Sequence, residues 1–234
     1  MQAGFEFAKR GRRAARFALL AVLAAGLSAC GSLNLLGDSG PPPRIYEISP
    51  APVVDSGLPT VSWQLVVGEP YAASAVNTDR IAVRTGAFEF AYYEGVRWSD
   101  RAPKMVQTLL VESFENSGKI TAVGRQAIGL RSDYELKSDL REFQVHLGAE
   151  GGERPLVWVQ MNFKLIEQPS AQIVASTTAD GRAYAASGKM SAVVKAFDEA
   201  LAQVMNQVVA WTLKTGQAHD ARRKPRRLSE REAP

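Results

Sequence analysis

The chain of 234 residues has a single cysteine and two histidines. One thiol makes no intramolecular disulfide, so no disulfide framework holds this fold together. His146 sits among the outward positions of a strand-like run beside Gln144, and His219 stands at the start of a polar segment; both read as surface histidines. No spacing supplies a Ser-His-Asp or Cys-His arrangement, a metal cluster, a Walker loop or a dinucleotide fingerprint. The expectation is therefore no catalytic residue, no metal and no bound cofactor. Long apolar runs are also missing. The longest, Phe17 to Leu27, would span only ~17 Å as a helix against a hydrocarbon core of ~30 Å, too short for a permanent membrane span.

Positive charge is scarce where it would matter. The whole chain has 28 basic and 24 acidic residues, but residues 1–29 hold five of the bases and one of the acids, which leaves 23 of each. The segment from Asp220 holds six more bases and three acids, so the body between them carries about −3. A nucleic-acid-binding domain would carry basic charge on a folded face, so that reading loses its main support and no nucleic-acid partner is expected.

What the N-terminus does have is a basic stretch (Lys9, Arg10, Arg12, Arg13, Arg16), the apolar segment Phe17 to Leu27, and then Leu27-Ser28-Ala29-Cys30. A basic, then apolar, then small-residue order is that of a secretory signal. The last four residues resemble the bacterial lipoprotein signal, or lipobox. By that resemblance Cys30 is the lipid-attachment site and first residue of the mature chain. Acyl chains contribute ~0.8 kcal/mol per buried CH₂, enough for two or more to anchor a protein. The sorting rule that comes with the resemblance, read on Gly31 rather than an aspartate, implies the periplasmic face of the outer membrane over the inner membrane.

Four segments are expected: the signal at 1–29, the lipidated cysteine and tether at 30–43, a domain at 44–215, and a disordered basic tail at 216–234. The tether is rich in Gly, Ser, Asn and Asp and closes on three prolines, a composition unable to bury a core. Strands are expected at Arg44 to Ser49, Val61 to Val67, Arg80 to Arg84 and Phe88 to Tyr93, the last two as a hairpin around Gly86. A helix follows, with Asp100 as cap, Pro103 in its first turn, Val106, Leu109, Leu110 and Phe114 on one face, and Gly118 at its end. Trp98, just ahead of it, reads as packed against this helix.

Lys119 to Val123 reads as a further strand. In the next, Leu136 and Leu140 fall on even positions but Phe143, Val145 and Leu147 on odd ones, which requires a bulge near Arg141-Glu142. Leu156 to Ile166 alternates cleanly, Gln168-Pro169-Ser170 breaks it, and Gln172 to Ala179 resumes, predicting an antiparallel meander. A long helix from Lys189 to Leu213 puts Val193, Phe197, Ala200, Leu201, Val204, Val208 and Trp211 in one stripe. Asp79, Arg80 and Arg84 flank an apolar strand core and read as a solvated strand edge, with a partner contact as the functional alternative. The fold class is α+β, with one mainly antiparallel sheet and two helices packed on one face.

The lipobox, Arg44-Ile-Tyr-Glu-Ile-Ser-Pro, Thr78-Asp79-Arg80-Ile81-Ala82-Val83-Arg84, Arg97-Trp98-Ser99-Asp100, Tyr134-Glu135-Leu136 and the Ala-rich helix ending at Trp211 together resemble the auxiliary lipoprotein family of ABC-type transport systems. The likeness runs from Arg44 to Trp211. It implies a lipid-anchored accessory subunit that docks on an MCE-domain protein, and through it on an ABC permease and ATPase, in a system moving phospholipids or other apolar compounds; homo-oligomerisation is left open. The alternative is a carrier or receptor that itself holds a lipid or apolar ligand between sheet and helices.

Overall fold

β7 (Tyr134–His146) is the strand on which the domain is assembled, because its thirteen residues are long enough to take partners along both edges. A computed structural model of the chain describes residues 41–49, 57–125, 132–148 and 154–231, with side chains as far as residue 223. The signal segment, Cys30 and the tether to residue 40 lie outside the described residues, and those from Pro43 onward belong to one compact unit.

On one edge β7 runs antiparallel to β8 (Leu156–Glu167), and β8 antiparallel to β9 (Gln172–Tyr184), which is the expected meander. Along the other edge three short strands follow one another, all parallel to β7. These are β2 (Leu65–Val67) beside Tyr134 to Leu136, β3 (Tyr71–Ala72) beside Asp139 and Leu140, and β4 (Arg80–Arg84) beside Val145 and His146. β5 (Phe90–Trp98) returns antiparallel on β4 as the expected hairpin; β1 (Arg44–Tyr46) lies parallel to β5, and β6 (Val123–Arg125) parallel to β2. The sheet is mixed, but its long pairings are antiparallel, and the fold is α+β as expected. β4 is not an edge, as Asp79, Arg80 and Arg84 had suggested: β5 and β7 hydrogen-bond it on both sides. Of Lys119 to Val123, Ile120 makes an isolated bridge to Val61 and Val123 opens β6, so the strand starts later than expected.

The bulge falls where the parity of the apolar residues requires it. The β7–β8 register shifts between Leu140 and Glu142, so the extra residue Arg141 lets Leu136, Leu140, Phe143 and Val145 all face the core. Leu147, expected on the same face, is exposed instead, because the strand ends at His146 and Gly148 turns the chain with φ 67°. In β8 Val157, Val159, Met161, Phe163 and Leu165 are fully buried.

Helix α1 (Ala102–Asn116) buries Val106, Leu109, Leu110 and Phe114, has a proline in its first turn and is followed by Gly118 at φ 61°. Its cap differs from expectation. Arg101 holds the N-cap position with no side-chain cap; Asp100 accepts a hydrogen bond from the Arg101 N–H at 2.8 Å and pairs with Lys104 Nζ at 2.8 Å. These contacts, the Lys104 bond foremost, hold the Asp100 carboxyl below the usual carboxylate range.

Helix α2 (Met190–Arg231) does not stop near Leu213, and the expected disordered tail is helical from 216 to 231. The reason is a set of contacts without apolar periodicity. Gly216 lies so close to Trp63 that a Cβ there would sit 2.5 Å from the indole ring. His219 Nδ1 lies 2.9 Å from the Tyr134 hydroxyl, and Arg223 Nη1 donates to Glu167 Oε1 at 2.6 Å. The stripe from Val193 to Val208 is buried as expected, but Trp211 is only half-buried, and Val209, Thr212 and Leu213 are the enclosed residues of that turn. α2 lies across β8 and β9, while α1 lies against β2, β6 and α2. Trp98 is buried, and its aromatic partners are Phe197 of α2, edge-on at 5.0 Å, and Phe143 at 5.9 Å. Phe143 and Phe197 meet at 5.0 Å and close this aromatic cluster.

Candidate functional site

The helices lie against one face of the sheet, and among the described residues no helix covers the other, the open face. Alternation along paired strands assigns the open face: Val83, Val145, Val157 and Ala183 point inward, so Arg84, Gln144, His146, Trp158, Arg182 and Tyr184 point outward, with Phe90 and Tyr92 beside them on β5. Guanidinium groups lie over rings at several points of this face. Arg80 is 3.7 Å from the centroid of Tyr92, Arg182 is 4.3 Å from Trp158, Arg154 is 5.1 Å from Tyr184 and Arg84 is 5.9 Å from Phe90. Such stacking fixes planar cations against apolar rings and presents both to a partner.

Hydrogen bonds hold the central rings. Trp158 Nε1 and Gln160 Nε2 both donate to Asp180 Oδ2, at 2.5 and 3.2 Å, and Arg182 Nε donates to Asp180 Oδ1 at 3.2 Å. Gln144 is buried, its Oε1 accepting from the Phe143 N–H at 2.8 Å and its amide nitrogen contacting Glu142 and, at 3.2 Å, His146 Nε2. His146 is thus half-buried against Trp158, with ring centroids 5.4 Å apart, rather than a free surface histidine. Burial is the largest influence on it and pushes its pKa down, Arg84 and Arg182 adding to that and Glu142 opposing it.

The residues singled out from sequence divide between contacts. Asp79 receives both bonds from Arg97 Nη1, at 2.9 and 3.1 Å, and its carbonyl accepts from the Trp98 N–H at 2.7 Å; this pair braces the β5–α1 corner. Arg80 and Arg84 belong to the open face. His219 packs edge-on against Tyr134 at 5.8 Å, and the Tyr134 phenol, enclosed and near Asp220, has its pKa pushed up to about 12, first by burial. Tyr92, Trp158 and Arg182 were missed by sequence reasoning, since each reads as one outward position of its own strand and the Arg–aromatic pairs appear only once strands are in register.

Two of the surface cavities among the described residues lie near these groups. One of about 550 Å³ lies between the end of β1 and α1, lined among others by Glu47, Ile48, Asp100, Met105 and Glu112. The other, about 480 Å³, lies at the β4–β5 turn and is lined by Arg84, Thr85, Gly86, Ala87, His146, Leu147 and Gly148. Among the described residues no group of three His, Cys, Asp or Glu side chains is placed to hold a metal ion, and no helix is long and apolar enough to cross a membrane.

Residues 46–209 match the family described as ABC-type transport auxiliary lipoprotein component. A crystal structure of a Xanthomonas campestris protein of the DUF330 family has a TM-score of 0.72 and 36% sequence identity, covering 76% of this chain and 99% of that one. An uncharacterized protein of known structure shares the fold alone, with a TM-score of 0.57 at 14% identity over 72% of this chain and 97% of its own. An uncharacterized protein of Bradyrhizobium diazoefficiens is 26% identical over 184 residues, 78% of this chain and 48% of that protein, so the chain spans about half the length of that relative. On the match over most of its length, the chain belongs to the family of ABC-type transport auxiliary lipoproteins.

Proposed function

We propose that the chain is a non-catalytic subunit of an MCE-associated ABC transport system for phospholipids or other apolar compounds, anchored through lipid on Cys30 at the periplasmic face of the outer membrane and docked on the MCE-domain protein. It needs no cofactor beyond that covalent lipid. The observation that carries this reading is the filled layer between sheet and helices. Val157, Val159 and Phe163 of β8 and Val193, Phe197, Val204 and Val208 of α2 are all fully buried, belong to one core, and leave the sheet's interior face occupied by the protein's own side chains. A lipid carrier needs a cavity of ~300 to 1,000 Å³ lined by side chains that do not meet. The layer between sheet and helices is filled by side chains that belong to one core, whereas the open face of stacked arginines and aromatic rings is suited to a protein partner.

Purification from mild detergent tests the reading. An MCE-domain protein recovered in stoichiometric amount is the expected result. A stoichiometric phospholipid, extracted from a domain that recovers no such protein, would overturn it in favour of a carrier.

A further inference from the structure

Large exposed apolar side chains gather at one end of the sheet. Phe88, in the β4–β5 turn, is fully exposed; Leu147, just past β7, is 41% exposed and Tyr184, the last residue of β9, 39%. Register brings them together. Arg84 lies opposite His146, His146 opposite Leu156 and Leu156 opposite Tyr184, and the Leu147 N–H donates to the Arg84 carbonyl at 3.0 Å.

Two guanidinium groups stand among these side chains. Arg154 lies over the Tyr184 ring. Arg84 has an enclosed Nε with no hydrogen-bond partner among the described residues, and its Nη1 reaches the Ala87 carbonyl only at 3.4 Å. With His146 it lines the cavity of about 480 Å³, and none of the described lining residues is acidic. An arginine beside a cavity with no acidic group among its described lining residues is complementary to a phosphate.

The start of the domain can be placed relative to this end through β1. β1 is parallel to β5, with Arg44 beside Val96 and Tyr46 beside Trp98, so Arg44 stands six strand residues from Phe90 and the hairpin turn. From Val96 to Phe90 is ~20 Å of strand, and the steps from Cys30 to Arg44 reach up to ~45 Å. A lipid on Cys30 would hold this end of the sheet within reach of the bilayer.

We propose that this end of the domain seats on a phospholipid bilayer, Phe88, Leu147 and Tyr184 entering the boundary between headgroups and acyl chains while Arg84 receives a lipid phosphate in the cavity beneath them. Apolar and aromatic tips mixed with basic groups are what an interfacial contact requires. The proposal deepens the anchored reading and rests on it for orientation. It gives the anchor a second contact, which would fix the height and tilt of the domain above the membrane.

The test uses the mature chain from Gly31, without lipid, and sedimentation with vesicles of phosphatidylglycerol and phosphatidylethanolamine or of phosphatidylcholine alone, at physiological salt. Binding to the anionic vesicles is expected. Phe88→Ser should weaken it about tenfold, the loss of one inserted aromatic side chain. Arg84→Gln should weaken it about fivefold and reduce the preference for anionic over neutral vesicles. Ile173→Ser, which removes an exposed apolar side chain at the opposite end of β9, should leave binding unchanged. Unaltered melting temperatures show that the variants fold, and inorganic phosphate in millimolar excess should not displace the vesicles.

Equal binding by all four proteins, or none by the parent, overturns the proposal. Displacement by inorganic phosphate would make the cavity a free-anion site instead, and loss of MCE-protein capture in Phe88→Ser without any vesicle binding would make this end a protein dock. Mass spectrometry of Cys30 tests the anchor separately: an unmodified Cys30 beside intact vesicle binding removes the anchored reading and keeps the membrane contact.

Discussion

Gly181 of β9 lies directly beneath Ala200 of α2, so close that a Cβ on the glycine would fall 2.0 Å from the Ala200 carbonyl oxygen and 2.9 Å from its carbonyl carbon. The obstacle is helix backbone, which cannot step aside as a side chain can. Gly181→Ala should therefore lift α2 from the sheet and destabilise the domain by about 3 kcal/mol, the upper range for overpacking. Gly188, with nothing near its missing Cβ, is the control, and Gly188→Ala should leave the melting temperature within about a degree of the parent.

The same helix guards the edge of the sheet. Gln203 accepts from the Arg182 N–H at 3.2 Å and donates to its carbonyl at 3.0 Å; Gln207 does the same for Asp180 at 3.3 and 2.8 Å. Two amides one helical turn apart thus occupy the outward backbone groups of β9, which would otherwise be a template for another strand. Replacing both by alanine should cost about 2 kcal/mol, at roughly 1 kcal/mol per exposed residue paired. Light scattering should show more self-association in the double variant than in the parent; equal monodispersity at high concentration would mean the amides do not guard the edge.

Ending the chain after Gln217 removes His219 and Arg223, leaving the buried Tyr134 hydroxyl without its 2.9 Å partner and Glu167 without its 2.6 Å ion pair. An under-satisfied buried phenol predicts a loss of about 1 to 3 kcal/mol. A truncated chain melting with the parent would show the end of α2 to be dispensable to the domain.

His146 has a pKa lowered by burial, so in the folded state it stays neutral where the unfolded chain takes up a proton. Its contribution to stability is present above the unfolded value of 6.5 and is lost as pH falls through the lower folded value. Between these two values the unfolding midpoint in urea should fall with pH in the parent and less steeply in His146→Gln. Parallel slopes in the two proteins would assign the dependence to other groups.

Much of the fold was legible because much of it is local. The bulge at Arg141 follows from a change of parity within one strand, and the β8 alternation and the α1 boundaries follow from side chains that meet their own neighbours. Leu147 shows the limit of such patterns. It continues the parity of Phe143 and Val145, yet the strand stops one residue before it, and it stands in solvent.

The open face was legible only as scattered outward positions, since Arg182 meets Trp158 across two strands and Arg84 meets Leu147 across two more. The amino-acid sequence by itself determined which residues are apolar, at what period, and where the chain must turn, because those depend on neighbours a few residues apart. Only the tertiary structure decided that three short strands lie in file and parallel along β7, and that a polar stretch past Leu213 continues as helix. Those outcomes rest on a glycine meeting Trp63, a histidine meeting Tyr134 and an arginine meeting Glu167, partners 56 to more than 150 residues away that no local period encodes.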